Sequence, residues 1–298
     1  MNILVTGASG LIGRAASSAL AADGHRVTPL RRGAGGGGPT WQPEKGEINL
    51  APASPIDAVL HLAGEGIAQR WTPTVKQRIR ESRVQGTRLL CEALAKLPQP
   101  PKALVCASAT GFYGSRGDDW LDESSAPGTG FLADVCQEWE AAAAPAFKAG
   151  VRVVHLRFGI VLAKEGGALA KMLPAFKLGL GGRLGDGRAW WSWIAIDDLV
   201  RVIQLALTDD SLSGPVNAVA PNPVTNAEFT RALGRVLHRP AILPVPRFVI
   251  QTVFGEMGRE ALLGSARVRP AVLSKHGFIF QHGAIEPALH AILHPQLD

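Results

Sequence analysis

Two hydroxyl-bearing side chains, five residues apart, are the strongest candidates for chemistry in this chain. Ser108 follows a short apolar stretch, 103–107, that is typical of a buried strand, and Tyr113 lies in the loop after it. Because residues beyond the carboxyl ends of parallel strands meet at one edge of a sheet, both hydroxyls could face one ligand there. A serine or tyrosine hydroxyl can hydrogen-bond a ligand, and a tyrosine can also give or take a proton, so both residues are candidates for a reaction site.

Tyr113, Glu65 and a cluster of tryptophans each have both a functional and a structural interpretation. Tyr113 is the only tyrosine in the chain, and a ring packed in the interior explains it as well as a catalytic role does. Glu65, in the loop after another predicted strand, is a second candidate acid or base, although a surface or capping carboxylate is the more common case. Trp190, Trp191 and Trp193 could form an aromatic lid over a flat substrate, but aromatic packing in the core is favoured.

The glycine spacing at the N-terminus predicts a dinucleotide-binding turn. Gly7, Gly10 and Gly13 follow a predicted strand, 2–6, and open a predicted helix, 11–23. The first glycine permits a tight turn, the second lets a phosphate approach the backbone, and the third lets the helix pack against the strand. The helix N-terminus offers free N–H groups and a positive dipole end to a pyrophosphate. The predicted cofactor-binding residues of this turn are Thr6, Gly7, Ser9, Gly10, Leu11, Ile12 and Gly13.

The residues after the second predicted strand, 26–30, distinguish NAD from NADP. An NAD site places Asp or Glu there to bind the ribose 2′-hydroxyl, but this chain has Arg31 and Arg32. Two guanidinium groups can hold a 2′-phosphate through paired, charge-assisted hydrogen bonds. The sequence therefore predicts NADP as the cofactor, with a pair of solvated surface arginines as the alternative.

The elements that position these residues predict an α/β fold. Strands alternate with helices, among them one centred on 135–147, over the first part of the chain, and the alternation loosens afterwards. This pattern predicts a Rossmann-type doubly wound parallel sheet with a smaller C-terminal substrate domain. The predicted division is an NADP-binding domain of residues 1–160, completed by segments near 190–220, and a partly interleaved substrate domain of residues 161–298.

Turn and cap signals separate several of these elements. Glycine-rich stretches at 33–39 and 181–187 predict loops. Asp197 or Asp198 is predicted to cap the helix that runs through Leu207.

Composition restricts the classes of partner. The chain has 298 residues, 46% of them hydrophobic, and a net charge of +6 without any run of five basic residues, so nucleic acid is not a predicted partner. Cys91, Cys106 and Cys136 form no C-x-x-C motif, which predicts free thiols in a reducing compartment and no metal site. The absence of an 18-residue apolar stretch and of room for a leader predicts a cytoplasmic protein without a membrane partner. A monomer and a homodimer are both compatible with the sequence.

Later motifs carry a more specific resemblance. Together with the glycine turn, they resemble the extended or atypical short-chain dehydrogenases/reductases, and more narrowly the "epimerase family protein" branch, family 39U. The tail from about Pro244 is similar to the C-terminal domain of unknown function of that branch. The motifs are Leu62-Ala63-Gly64-Glu65, Ser82-Arg83-x-x-Gly86-Thr87, Trp139-Glu140, Arg157-Phe158-Gly159-Ile160-Val161-Leu162 and Trp193-Ile194-x-Ile196-Asp197-Asp198-Leu199.

The resemblance implies further cofactor contacts. It places Leu62, Ala63 and Gly64 against the adenosine side of the cofactor. It also implies that Arg83 reaches this turn from the following helix, and that Val161 lines the nicotinamide end.

The same resemblance exposes a missing catalytic pair. A reductase of this superfamily uses a tyrosine, a lysine and a serine, but the tyrosine and lysine positions correspond to Phe131 and Val135, which cannot carry a proton. Arg83 replaces a helical asparagine, so only Ser108 remains. The leading prediction is an NADP(H)-binding oxidoreductase-like protein acting on a small carbonyl or hydroxyl substrate, with Ser108 and Tyr113 as catalytic residues. The alternatives are a non-enzymatic NADP sensor and a nucleotide-sugar epimerase, which also needs the missing pair.

Overall fold

The computed structural model of the chain describes residues 1–33 and 37–295. The predicted loop 33–39 falls partly outside the described residues, whereas 181–187 is irregular apart from one bridge between Leu184 and Val245. No helix in the described ranges has the length and hydropathy to cross a lipid bilayer.

An eight-stranded sheet forms the centre of the protein, in the order β12-β8-β6-β5-β1-β2-β3-β4. All its neighbouring strands are parallel except β3 and β4. The chain winds outward from β1 in both directions, so a crevice opens at the carboxyl ends of β1 and β5, where such folds bind ligands. The strands are β1 (Asn2–Thr6), β2 (Arg26–Arg32), β3 (Thr40–Gln42), β4 (Glu47–Asn49), β5 (Ala58–His61), β6 (Ala103–Ala109), β7 (Trp120–Leu121), β8 (Arg152–Phe158), β9 (Ile160–Leu162), β10 (Trp190–Trp191), β11 (Trp193–Ala195), β12 (Gly214–Ala218), β13 (Val224–Thr225) and β14 (Arg267–Val268).

Helices cover both faces of this sheet, which confirms the predicted doubly wound fold. Ile3 and Val5 face the core shared with α1 and α6, while Leu4 faces the core shared with α2 and α4. This alternation is expected because successive side chains of a strand point to opposite faces. The helices are α1 (Leu11–Ala22), α2 (Pro73–Ala95), α3 (Phe131–Ala141), α4 (Ala144–Lys148), α5 (Gly167–Lys177), α6 (Ile196–Thr208), α7 (Asn226–Val236), α8 (Arg247–Met257), α9 (Ala271–Lys275) and α10 (Ile285–Leu293).

The chain beyond β9 builds a separate hydrophobic core and then returns to the central sheet. Trp191, Trp193 and Phe229 are buried together there, with 5.2 Å between the ring centroids of Trp191 and Phe229. Two of the three clustered tryptophans therefore pack in the core, and Trp190 stays partly exposed. Strand β12 pairs with β8 at the edge of the central sheet. The later half of the chain therefore also contributes to the core that the sheet shares with α1 and α6. The division into two domains stays a prediction.

Two local expectations were wrong. The helix predicted over 135–147 is two helices, because Pro145 lies in the first turn of α4, where it lacks an N–H to continue α3. Neither Asp197 nor Asp198 caps α6, whose N-cap is Ala195. The buried Asp198 carboxylate instead accepts hydrogen bonds from the backbone N–H groups of residues 281 and 282, at 2.9 and 2.8 Å.

Candidate functional site

The glycine turn has the shape of a cradle that only glycine permits. Gly7 has a φ of +68°, and a Cβ atom on it would come within 2.9 Å of the backbone of Leu62 and Ala63. A Cβ on Gly13 would overlap the carbonyl oxygen of Gly7. No side chain caps the first turn of α1 at Gly10, so its N–H groups are free to bind a phosphate. The turn fits a dinucleotide pyrophosphate.

The hydroxyl of Thr6 fixes the neighbouring loop. Thr6 Oγ1 accepts hydrogen bonds from the N–H groups of Leu62 and Ala63, both at 3.1 Å. It also lies 2.7 Å from His61 Nδ1. Since a hydroxyl has two acceptor lone pairs and one proton, Thr6 must donate that proton to His61 Nδ1. The predicted residues Thr6, Leu62 and Ala63 are therefore held together by one oxygen atom.

His61 extends this connection into the protein interior. Burial lowers its pKa from 6.5 to about 4, so the ring is neutral at pH 7. Because Nδ1 accepts a proton from Thr6, Nε2 carries the ring hydrogen and donates it to Thr87 Oγ1 at 2.9 Å. Trp139 Nε1 donates to the same oxygen, also at 2.9 Å. A continuous hydrogen-bonded path thus links the cofactor turn to α3.

The Arg83 side chain stabilises the backbone of the loop after β5. Its Nη1 donates to the carbonyl oxygens of Glu65 at 2.9 Å and Ile79 at 3.1 Å. Its guanidinium carbon would lie 3.3 Å from a Cβ placed on Gly64 and lies 5.0 Å from the ring of Trp139. Arg83 therefore meets the predicted loop, where it holds the backbone in place. Glu65 is partly exposed in the same loop.

Leu11 and Val161, two of the predicted cofactor-binding residues, lie close together. A Cβ on Gly166 would lie 3.2 Å from Leu11 Cδ1, and one on Gly167 would lie 3.4 Å from both Leu11 Cδ2 and the Val161 carbonyl oxygen. The start of α5 therefore closes on α1 and β9, which brings these two predicted residues to one place.

Arg31 and Arg32 end β2 with exposed side chains. Neither forms an ion pair with another residue in the part of the chain that the structure describes. Their guanidinium groups are available to a ligand at the adenosine side.

Ser108 is backed by a buried ion pair that the sequence reasoning missed. Its side chain is only 2% exposed, and its Oγ donates to Glu140 Oε1 at 2.7 Å. Arg157, the neighbour of Ser108 across β6 and β8, donates Nε to Glu140 Oε1 and Nη2 to Glu140 Oε2, both at 2.8 Å. Trp139-Glu140 and Arg157 stand in the motifs that carry the family resemblance, which was the available signal.

Tyr113 is part of the same network but faces no open space. The side chain is fully buried, its hydroxyl donates to Asn217 Oδ1 at 2.8 Å, and it accepts from Arg157 Nη1 at 3.0 Å. Burial raises the pKa of this phenol. Because its hydroxyl is bonded to both Asn217 and Arg157, the structure favours the packed ring over proton transfer by Tyr113.

An apolar cluster includes the two positions that the family resemblance assigns to the catalytic tyrosine and lysine. Phe131 and Val135 are buried with Trp71 and Met257, and the rings of Phe131 and Trp71 meet edge to face with centroids 5.1 Å apart. These positions have no titratable group of their own.

Charged groups from α2 and the C-terminal segment surround that cluster. Glu260 accepts hydrogen bonds from the N–H groups of Phe131 at 3.1 Å and Leu132 at 3.0 Å, at the start of α3. Lys76 Nζ lies 4.5 Å from the centroid of the Phe131 ring and 2.8 Å from Glu256 Oε1. Lys76, Glu256 and Glu260 were also missed, because no local pattern connects them with Phe131.

Two parts of the chain match models of known protein families. Residues 3–218 match the model of the NAD dependent epimerase/dehydratase family, and residues 245–292 match the domain of unknown function DUF1731. The chain is 44% identical to epimerase family protein Mb2239 of Mycobacterium bovis, with 96% of each chain covered.

Two solved structures are also similar. One is the human epimerase family protein SDR39U1 with NADPH, at 37% identity and a TM-score of 0.92, covering 99% of this chain and 100% of that one. The other is a nucleoside-diphosphate sugar epimerase from Corynebacterium glutamicum, at 38% identity and a TM-score of 0.80, covering 97% of this chain and 57% of that one. The human structure contains NADPH, the form of cofactor predicted here from Arg31 and Arg32.

We expect Glu140→Gln to destabilise the protein by about 3–5 kcal/mol, because it leaves the buried Arg157 without its negative partner. Glu138→Gln is the matched control on the same helix. Glu138 is paired with Arg80 but is 43% exposed, against 14% for Glu140, so its loss should cost less than about 1 kcal/mol. Urea unfolding measures both changes, and equal effects would contradict the role given to the buried pair.

We expect His61→Gln to reduce the dependence of stability on pH. Above pH 6.5 the neutral ring contributes fully to stability. As pH falls from 6.5 toward about 4, the unfolded state binds a proton that the folded state excludes, so about 3 kcal/mol is progressively lost in the wild type. Unfolding free energies at pH 7.5 and 4.5 measure the difference, with the exposed His290→Gln as control. A wild-type slope in His61→Gln would show that His61 is not buried neutral.

Proposed function

This chain belongs to the NAD dependent epimerase/dehydratase family, and from that premise we propose that it is an NADP(H)-binding oxidoreductase. Its substrate is a small carbonyl or hydroxyl compound. The observation that carries the proposal is the tight turn at Gly7 and Gly13, where a Cβ atom would meet the backbone. It leads into the uncapped start of α1, and Arg31 and Arg32 are exposed at the end of the next strand.

Most of the groups that hold the cofactor lie at the carboxyl edge of β1, β2 and β5. The uncapped start of α1 binds the pyrophosphate. Arg31 and Arg32 bind the 2′-phosphate of NADP, and Leu62, Ala63 and Gly64 line the adenosine side. Val161 lines the nicotinamide end. The NADPH in the similar human structure supports this assignment.

Bound NADP(H) supplies or accepts a hydride, and the protein must then move a proton at the substrate oxygen. Ser108 and Glu140 are the pair best placed for that task. A substrate hydroxyl can give its proton to Ser108 Oγ while the Ser108 proton passes to Glu140 along their 2.7 Å hydrogen bond. Carbonyl reduction uses the same path in reverse. Arg157 holds Glu140 in place through two hydrogen bonds, so it acts as a positioning residue.

A second candidate function is a non-enzymatic NADP sensor. The observation that favours it is the packing of Phe131 and Val135, which puts apolar side chains where the superfamily has its proton-transfer groups. Glu260 ties the same helix start to the C-terminal segment, so a change at the cofactor could be passed to that surface. Nucleotide-sugar epimerisation needs the same absent Tyr–Lys pair, and no contact in the site favours it.

The proposed setting is the cytoplasm, with a small molecule as the partner. Cys91, Cys106 and Cys136 are free and buried, which suits a reducing compartment. Neither nucleic acid nor a membrane is proposed as a partner, and the protein is proposed to act as a monomer or homodimer.

We expect the double variant Arg31→Ala/Arg32→Ala to bind NADPH at least tenfold more weakly, with little change for NADH. The reason is that charge-assisted hydrogen bonds to the 2′-phosphate contribute about 1.5–3 kcal/mol each. Calorimetric titration of nucleotide-stripped protein measures both affinities. Arg26→Ala, exposed at the other end of the same strand, is the control and should bind both nucleotides as the wild type does. Equal losses for NADPH and NADH would mean that these arginines do not recognise the 2′-phosphate.

We expect Ser108→Ala to lower turnover by about 100-fold or more, because it breaks the proton path to Glu140, while NADPH affinity is unchanged. NADPH consumption across a panel of carbonyl compounds identifies the activity and measures the loss. Tyr113→Phe is the comparison and should keep most of the turnover, since the Tyr113 hydroxyl is bonded to Asn217 and Arg157. Full activity in Ser108→Ala would reject the proton path. Failure of the wild type on the whole panel, with a partner captured only when NADPH is bound, would favour the sensor.

A further inference from the structure

Arg267 is held between two tryptophan rings. Its guanidinium carbon lies 3.9 Å from the centroid of the Trp120 ring and 4.0 Å from the centroid of the Trp190 ring. Trp190 is itself fixed by a 2.7 Å hydrogen bond from its Nε1 to Asp118, and Trp120 pairs with Arg267 between β7 and β14. These two cation–π contacts restrict the orientation of the guanidinium group.

The N–H groups of Arg267 lack the partners that other arginines have. Its Nε is buried without a hydrogen-bond partner. Within residues 1–33 and 37–295, no carboxylate forms an ion pair with it, whereas Arg157 pairs with Glu140 and Arg269 with Asp122. A charged donor withdrawn from water without an acceptor is costly. Since Nε is closed to solvent, an anion would offset this cost by binding the two Nη groups beside it.

One acidic side chain close enough to interact electrostatically with Arg267, Glu228, takes part in a different interaction. Glu228 accepts hydrogen bonds from the Thr225 backbone N–H at 2.7 Å and the Thr225 hydroxyl at 2.8 Å, in the capping box of α7. Its pKa is lowered mainly by the Thr225 N–H, with smaller contributions from Arg231 and Arg267. Arg267 thus acts electrostatically on the Glu228 carboxylate without forming an ion pair with it. Arg231 adds a second positive charge to this region.

The clamp formed by Trp120, Arg267 and Trp190 is anchored to the strand that carries Val161. The N–H of Val268, next to Arg267, donates to Ser192 Oγ at 2.9 Å. The carbonyl oxygen of Ser192 accepts the N–H of Ile160 at 2.8 Å, and Ile160 precedes Val161 in β9. Ser192 therefore connects the clamp to the predicted nicotinamide end of the site.

We propose that Arg267 is an anion-binding subsite that takes a carboxylate or phosphate group of the substrate. A planar guanidinium presents two parallel N–H donors, which match the two oxygens of either group. That the bound anion is part of the substrate rests on the proposed function. The subsite then narrows the substrate class to anionic carbonyl or hydroxyl compounds.

The test is a titration of NADP⁺-saturated protein with malonate and with inorganic phosphate. The Arg267 Nε–H resonance, assigned by its absence in Arg267→Gln, should shift with saturation on adding at least one anion. Calorimetry should show at least tenfold weaker binding to Arg267→Gln. Arg269→Gln, a 55%-exposed arginine two residues away that is paired with Asp122, should bind as the wild type does. Tighter malonate binding identifies a carboxylate ligand, and tighter phosphate binding identifies a phosphate.

The proposal is overturned if neither anion shifts the Arg267 Nε–H resonance, whatever the stability of the variants. It is also overturned if Arg267→Gln binds both anions like the wild type. If Arg267→Gln does not fold, the resonance of the wild type, assigned by selective labelling, decides alone. NADP⁺ binding is measured first. If it fails, the proposed function fails, and the anion titration of nucleotide-free protein still tests the subsite.

Discussion

The arrangement of the site depends on the buried ion pair between Arg157 and Glu140. The pair joins β8 to α3, and both carboxylate oxygens and three guanidinium nitrogens have hydrogen-bond partners. Such saturation is what lets two charges remain in a low-dielectric interior. Ser108 and Tyr113 take their orientation from opposite sides of this pair. Removing either charge would therefore disturb the orientation of Ser108 and Tyr113 as well as the ion pair itself.

The replacement of the usual catalytic pair changes what the start of α3 does. In place of two proton-transfer groups, Phe131 and Val135 contribute apolar surface that packs against Trp71 and Met257. The helix start becomes an attachment point for the C-terminal segment. The proposed proton transfer depends instead on Ser108, whose hydroxyl donates to Glu140.

The sequence predicted the features that local chemistry determines. The glycine turn, the alternation of strands and helices, and Arg31 at the end of β2 are all signalled by neighbouring residues. The partner of Ser108 is 32 residues away and that of Tyr113 is 104 residues away, so neither hydrogen bond leaves a local pattern. Asp198 shows the reverse error. Its position suggested a local cap, but its carboxylate binds a segment 83 residues later. Strand β3 and the edge strand β4, of three residues each, were too short to show periodicity.

The two hydrogen bonds from Glu260 to the start of α3 have a consequence for how the chain can be divided. A helix normally finds its N-terminal acceptor in the residue that precedes it, but Gly130 has no side chain to offer, and the acceptor comes from 129 residues downstream. A chain ending before residue 245 would keep every strand of the central sheet and still lack this acceptor. The first turn of α3 therefore gains this acceptor only after residue 260 has been synthesised.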